Sequence, residues 1–184
     1  MKNSRLTFII AIAIFASFII SACNSAVETD TAKVETEKKV EKTDAKKGME
    51  VGESAPSFEV TTVDGIKVSD EALKGNPAVL VFWSVYCSKC KKETPQINQL
   101  AKEFSPKGVE VIGINIGESD AEIKKGIESF GIDYAVAPDQ DKNVMQKFGA
   151  VGTPTIVFLD KDGKVQFYGN KLPENYSERL NSLS

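Results

Sequence analysis

Six consecutive apolar residues, from Ala78 to Trp83, constrain the fold of this chain more than any other segment. An apolar run of this length, without alternating polar residues, is typical of a strand that is buried on both faces. The residues that follow, 88–104, place Ile97 and Leu100 at helical spacing on one face. We therefore predict a buried strand that leads, through a short turn, into an amphipathic helix.

Further predicted strands and helices alternate along residues 51–184. Short strands at residues 57–60 and 66–68 flank Asp64-Gly65, a pair typical of hairpin turns. Beyond the first helix we expect, in order, a buried strand at 109–116, a helix at 120–130 capped by Ser119 or Asp120, a short helix at 141–148 ended by Gly149, a hairpin of residues 155–159 and 165–168, and a last helix at about 173–183. This order predicts an α/β fold whose mixed sheet carries helices on both faces.

Two cysteines, Cys87 and Cys90, lie where the predicted strand meets the predicted helix. Cys87 precedes the helix and Cys90 lies one turn inside it. The N–H groups and the dipole of the helix N-terminus should therefore stabilise a thiolate at Cys87 and lower its pKa. Lys89, Lys91 and Lys92 add positive charge nearby. We predict that Cys87 is the nucleophile of a thiol-disulfide exchange and that Cys90, the more buried thiol, resolves the mixed disulfide.

Two other uses of this cysteine pair are less favoured. A structural disulfide that closes so short a loop would stabilise the fold by only about 2 kcal/mol. A structural zinc site needs four ligands, and the motif offers two in a chain without histidine. We therefore expect a redox-active pair, with no metal and no cofactor.

The absence of histidine also excludes whole classes of enzyme. The chain has no Cys-His nucleophile and no Ser-His triad, and the lysine that follows Cys90 excludes a haem attachment site of the Cys-x-x-Cys-His type. The formal net charge of -3 gives no strong positive field, so we expect no nucleic-acid partner.

The third cysteine, Cys23, ends an N-terminal segment with the features of a secretory signal. Basic residues precede an apolar run at residues 6–20, and small residues come directly before Cys23. Residues 20–23 resemble a bacterial lipobox, in which the cysteine is lipidated and becomes the first residue of the mature chain. We expect a signal peptide at 1–22 and a lipid on Cys23, with an uncleaved membrane anchor as the alternative. Both interpretations place the rest of the chain outside the cytoplasmic membrane, tethered to it.

Residues 23–50 would link this anchor to the predicted domain at 51–184. After Cys23 the segment contains no aromatic residue and no proline, and its acidic and basic residues are interleaved. Such a segment buries too little apolar surface to offset the chain entropy lost on folding. We therefore expect a flexible, solvated tether.

Two segments of the chain carry a family resemblance: GESAPSFEVTTVDGIKVSDEALKGNPAVLVFWSVYCSKCKKETPQINQLAKEF and VGTPTIVFLDKDGKV. In order, they hold an apolar strand, Trp83, Cys-x-x-Cys, Pro95 and Thr153-Pro154. On these residues, 51–184 resembles the thioredoxin-like fold, specifically the membrane-tethered thiol-disulfide oxidoreductases of the TlpA/ResA group. The segment 109–150 is longer than a minimal thioredoxin needs, and it fits the extra strand and helix that this group shares with peroxiredoxins.

The resemblance implies an activity and partners. It implies an extracytoplasmic enzyme that exchanges disulfides with protein substrates through its dithiol. The leading candidate substrate is apocytochrome c, through its haem-binding cysteines, and a membrane thiol reductant would be the electron donor. On this basis Trp83 and Tyr86, which we expect to pack in the core or at its rim, would frame the substrate surface.

The resemblance also implies roles for residues near the cysteines. Pro154 matches a family proline whose peptide bond is cis, and the Thr153 backbone would pair with an extended substrate segment; an ordinary trans proline is the alternative. Glu93 matches an active-site glutamate that, if buried, has a raised pKa and exchanges a proton with Cys90. A solvated glutamate in the first turn of the helix is the alternative for Glu93.

Three other functions stay open at this point. Peroxiredoxins carry Pro-x-x-x-Thr-x-x-Cys, and measured from Cys87 the Thr position holds Ser84 but the Pro position holds Leu80, which disfavours a thiol peroxidase. A disulfide oxidant or isomerase is the second possibility, because Ser88-Lys89 lacks the proline of many relatives and a lysine beside the nucleophile stabilises the reduced form. A binding module with incidental cysteines is the third, and a Cys-x-x-Cys at a helix start argues against it.

Overall fold

A computed structural model describes residues 48–183 of the 184-residue chain. The predicted signal peptide, Cys23 and most of the predicted tether lie outside these residues. Within residues 48–183, no helix is long and apolar enough to cross a membrane, and no three acidic or cysteine side chains are grouped so that they could hold a metal ion.

In the described part of the chain, five strands form one mixed sheet and two short strands form a separate hairpin. In chain order the strands are β1 (Glu59–Thr61), β2 (Lys67–Ser69), β3 (Ala78–Trp83), β4 (Glu110–Ile116), β5 (Ala135–Asp139), β6 (Thr155–Leu159) and β7 (Val165–Gly169). The helices are α1 (Asp70–Leu73), α2 (Ser88–Phe104), α3 (Asp120–Phe130), α4 (Asn143–Lys147) and α5 (Tyr176–Leu183), with a 3-10 turn at Ser105–Lys107. These elements confirm the predicted α/β fold.

The sheet is built around β3. Its strand order is β5-β4-β3-β6-β7. Strands β3, β4 and β5 run parallel, β6 is antiparallel to β3, and β7 is antiparallel to β6. Every residue of β3 is buried, as the continuous apolar run predicts. The chain therefore leaves β3 from the middle of the sheet.

Apolar side chains cover both faces of the sheet, because successive residues of a strand point to opposite sides. On one face, Leu80 and Phe82 of β3 pack with Phe148, which follows α4. On the other face, Val79 and Val81 pack with the predicted apolar face of α2, which contributes Ile97, Leu100 and Phe104. The position of α2 against the centre of the sheet follows from this packing.

The N-terminal hairpin, β1 and β2, starts one or two residues later than predicted. The cause is Asp70, whose Oδ1 accepts hydrogen bonds from the N–H of Phe58, at 2.9 Å, and from Oγ of Ser57, at 3.1 Å. These bonds divert the residues before β1 from strand pairing. The turn of the hairpin is attached to β5, because the N–H of Val63 donates to the carbonyl of Val136 at 2.8 Å.

Strand β5 is not among the predicted strands, because Pro138 interrupts its apolar pattern. Proline lacks the N–H that a sheet ladder needs, so it is tolerated mainly on edge strands. β5 is an edge strand of this sheet. An edge strand has a neighbouring strand on one side only, so it tolerates a residue without an N–H group.

Helix α3 spans the predicted residues 120–130, whereas helix α4 starts later than predicted. Helix α3 is capped by Ser119 rather than Asp120, and Glu122 completes a capping box with it. Helix α4 begins at Asn143, two residues later than predicted, because the carboxylate of Asp139 accepts the N–H groups of the first turn. The bonds are 3.1 Å from Val144 and 2.8 Å from Met145.

The indole of Trp83 fills the space between β4 and α3. A Cβ atom at Gly113 of β4 would lie 3.1 Å from its Nε1 atom. A Cβ atom at Gly126 of α3 would lie 3.0 Å from its Cη2 atom and 2.5 Å from Cγ1 of Val85. Glycine at these two positions therefore lets the strand and the helix approach the indole closely.

We predict that Gly126→Val lowers the free energy of unfolding by about 2 kcal/mol, because the added methyl groups overlap Val85 and Trp83 in a packed interior. Ala121→Val is the matched control, since Ala121 is exposed on the same helix. Urea denaturation of the two variants measures the difference. Equal losses in both would show that the indole is not tightly packed against α3.

Candidate active site

Cys87 and Cys90 lie at the N-terminus of α2, directly after the turn that leaves β3. The N–H of Cys87 donates to the carbonyl of Ser84 at 3.0 Å and closes this turn. Cys87 is the N-cap of α2, and its Sγ accepts a hydrogen bond from the N–H of Cys90 at 3.0 Å. A disulfide joins the two cysteines, whose Cα atoms are 5.2 Å apart. The predicted position of the pair at a helix start is thus the observed one.

The two sulphur atoms differ in accessibility. Cys87 is half-buried, whereas Cys90 is 4% exposed and packs with Trp83, Ile123 and Val136. A substrate can therefore reach Cys87 more easily than Cys90. Once the disulfide is reduced, the helix N–H that points at the Cys87 sulphur stabilises negative charge there.

A hydroxyl group supports the first turns of α2 next to the disulfide. Oγ1 of Thr94 donates to the carbonyl of Cys90 at 2.9 Å, and the partly buried Tyr134 side chain lies beside Thr94. Burial raises the pKa of Tyr134, so its hydroxyl stays protonated. These residues line one small cavity together with Trp83 and Pro154. Pro154 and Cys90 therefore face the same cavity although they are far apart in sequence.

Trp83 and Tyr86 differ in whether they reach the surface. Trp83 is 1% exposed, so the expectation that it frames the substrate surface is wrong: the indole packs under the turn instead. Tyr86 is 80% exposed and lies next to Cys87 in the chain. Its hydroxyl donates to Oε1 of Glu122 at 3.0 Å, and this bond raises the pKa of Tyr86. Of Trp83 and Tyr86, only Tyr86 lies at the surface beside Cys87, where a substrate could contact it.

Glu118 is a site residue that sequence analysis missed. It is 7% exposed and holds the turn before Cys87. Its Oε1 accepts a hydrogen bond from Oγ of Ser84 at 2.6 Å, and its Oε2 accepts a longer one from the N–H of Val85 at 3.4 Å. Oγ of Ser84 in turn accepts from the N–H of Tyr86 at 3.2 Å. The signal that could have found Glu118 is its place just after β4, since parallel neighbours such as β3 and β4 end at the same edge of a sheet.

Glu93 lies on α2, one turn beyond Cys90, and is half-buried. Its Oε2 accepts a hydrogen bond from the N–H of Leu172 at 3.0 Å. The carboxylate therefore ties α2 to the segment that follows β7. This contact is not one that the sequence predicts, and proton exchange between Glu93 and Cys90 stays a prediction.

A groove of about 450 Å³ lies beside Pro154. The Thr153-Pro154 peptide bond is cis, as the family resemblance implies. Residues from four segments line the groove: the end of the predicted tether, the start of α2, the loop before β6 and the end of β7, with Met49, Lys89, Thr153 and Tyr168 among them. Within residues 48–183, neither the N–H nor the C=O of Thr153 has a hydrogen-bond partner. These two backbone groups are free to pair with an added chain.

Comparisons with known proteins agree with this geometry. The AhpC/TSA family model matches residues 51–168. The thiol-disulfide oxidoreductase ResA of Bacillus thuringiensis strain Al Hakam is 34% identical over 141 residues, which cover 76% of this chain and 82% of that protein. The ResA protein of Bacillus subtilis strain 168 is 32% identical over 120 residues, which cover 65% of this chain and 67% of that protein.

Solved structures with the same fold are also thiol-disulfide enzymes by name. The thioredoxin domain of a thiol-disulfide oxidoreductase from Bacteroides vulgatus has a TM-score of 0.67 and 25% identity, and the match covers 74% of this chain and all of that domain (100%). A thiol:disulfide interchange protein of the thioredoxin family from Chlorobium tepidum TLS has a TM-score of 0.62 and 26% identity, with coverage of 74% and 99%. These matches show that the chain has the thioredoxin-like fold.

We predict that Glu118→Ala lowers the free energy of unfolding by about 1–3 kcal/mol, because it leaves the hydroxyl of Ser84 and the N–H of Val85 without their acceptor in a part-buried turn. Glu128→Ala is the matched control, since Glu128 is an exposed acidic residue of α3, the helix that follows. Denaturant unfolding of both variants makes the comparison. A loss no larger than that of the control would rule out a bracing role for Glu118.

Proposed function

The chain belongs to the AhpC/TSA family and is a thiol-disulfide oxidoreductase with a thioredoxin-like fold, and we propose from this that it reduces disulfides in proteins outside the cytoplasmic membrane. The observation that supports the proposal is the unequal pair of sulphurs. Cys87 is accessible and receives a helix N–H, while Cys90 is buried directly behind it. One sulphur is thus suited to attack a substrate and the other to release it.

The proposed reaction has two exchange steps. The Cys87 thiolate attacks one sulphur of a substrate disulfide, the substrate S–S bond breaks, and the first substrate thiolate leaves. The Cys90 thiolate then attacks the Cys87 sulphur, forms the enzyme disulfide and expels the second substrate thiolate. Two electrons pass from the enzyme dithiol to the substrate. In the second step Cys90 must first lose its proton, and we assign the acceptor role to Glu93, one helical turn away.

The groove beside Pro154 is the proposed place of the substrate chain. The free N–H and C=O of Thr153 would pair with an extended backbone, as in the addition of a strand to a sheet edge. Tyr86, at the rim next to Cys87, would pack against the same substrate. Both contacts would hold a substrate disulfide close to the accessible sulphur.

The proposed pathway follows from the family resemblance. Apocytochrome c is the proposed substrate, through its haem-binding cysteines, and a membrane thiol reductant is the proposed electron donor that returns Cys87 and Cys90 to the dithiol form. A lipid on Cys23 would hold the protein at the membrane.

A thiol peroxidase is less well supported by the surroundings of Cys87. Ser84 occupies the position of the peroxiredoxin threonine, and its hydroxyl group donates a hydrogen bond to Glu118. Leu80, in the place of the peroxiredoxin proline, is fully buried in the middle of β3. Neither residue offers a free donor to a peroxide.

The reduction potential of the Cys87-Cys90 couple tests the proposed direction of electron flow. We expect a value near or below about -250 mV after equilibration with thiol redox buffers, which marks a reductant. A value of about -120 to -180 mV would mark an oxidant or isomerase instead. The haem-pathway proposal would then have to be abandoned.

A further inference from the structure

The groove beside Pro154 has an unusual charge distribution. Of the described residues that line it, Lys89 alone carries a charge. The others include four glycines and uncharged side chains such as Met49, Thr153, Tyr168 and Asn170. No carboxylate among the lining residues balances the ammonium group of Lys89. The groove therefore offers a single positive charge in neutral surroundings.

Two carboxylates lie on the opposite side of Cys87. Glu118 and Glu122 follow β4 and contact the turn before Cys87, through Ser84 and Tyr86. β4 lies on one side of β3, and β6 and β7, which border the groove, lie on the other. Glu118 and Glu122 thus contact the turn on one side of Cys87, and the ammonium group of Lys89 lines the groove on the other.

The neutral part of the groove fits a polypeptide backbone. Glycines leave room for a close approach, and the free N–H and C=O of Thr153 can pair with an extended chain. Lys89 is two residues beyond Cys87 in the chain and lines the same groove. A segment whose cysteine lies at Cys87 would therefore hold a neighbouring side chain near the Lys89 ammonium group.

We propose that Lys89 selects substrates whose attacked cysteine has an aspartate or glutamate close to it in the sequence. This inference rests on the proposed function, because it takes the groove as the place of the substrate chain. The selected chemistry is an acidic, extended segment, and Lys89 acts as a specificity-determining residue that touches the substrate beside the reacting sulphur. Since the ion pair is partly exposed, its effect is modest, at most about fivefold in rate at low salt.

The test uses disulfide-linked homodimers of one unstructured peptide with Asp, Asn or Lys on both sides of its single cysteine. Second-order rate constants are measured with the purified protein in two directions: reduced protein with oxidised peptide, and oxidised protein with reduced peptide. The quantity of interest is the ratio of the rate for the acidic peptide to the rate for the basic peptide. Because all peptides react at the same sulphur, this ratio cancels any effect of a variant on the intrinsic reactivity of Cys87.

We expect Lys89→Gln to lower the acidic-to-basic ratio about threefold to fivefold and Lys89→Glu to lower it further, with both effects shrinking at about 0.5 M salt. Lys92→Gln is the matched control, since Lys92 is an exposed lysine of the same helix that does not line the groove. It should leave the ratio unchanged.

The two directions separate this inference from the proposed function. Equal ratios in the wild-type protein and Lys89→Glu, or an equal fall in Lys92→Gln, would overturn the role of Lys89 whichever direction is faster. If only reduced peptides react with the oxidised protein, the reducing function fails, while the ratio still tests the charge selection in that direction.

Discussion

The hydrogen bond from the N–H of Cys90 to the sulphur of Cys87 is the interaction on which the rest of the site depends. It forms because β3 is buried in the middle of the sheet, so that the chain leaves the sheet at a fixed point and starts α2 after a short turn. The first N–H groups of a helix have no carbonyl partners within it. A thiolate at Cys87 accepts such a group and also gains from the helix dipole. The position of the helix is therefore the reason why we propose Cys87, and not Cys90, as the nucleophile.

Contacts with residues that are distant in the sequence help to keep that turn in place. Glu118, after β4, accepts hydrogen bonds from the side chain of Ser84 and the backbone N–H of Val85. Trp83, the residue before the turn, packs against Gly126 of α3, and Pro154, before β6, lines the small cavity next to Cys90. A buried carboxylate is costly unless it is hydrogen-bonded. The two hydrogen bonds that Glu118 accepts from the turn offset this cost.

Local patterns predict the parts of the site that depend on neighbouring residues. The apolar run of β3 and the helical spacing of Ile97 and Leu100 are enough to place Cys87 at a helix start. Local patterns do not predict contacts between residues that are far apart in the sequence. Glu118 is 34 residues from Ser84, and the burial of Trp83 depends on glycines in β4 and α3. Likewise, the tolerance of β5 for Pro138 follows from its edge position, which only the assembled sheet reveals.

The most direct test of the central claim is the pH dependence of alkylation of the reduced protein, with each cysteine followed separately by peptide mapping. We predict that Cys87 reacts first and titrates at least about one unit below the ordinary thiol pKa of about 8.5, while Cys90 stays protected. Faster alkylation of Cys90, or titration of Cys87 at or above about 8.5, would contradict the claim that the start of α2 creates the nucleophile.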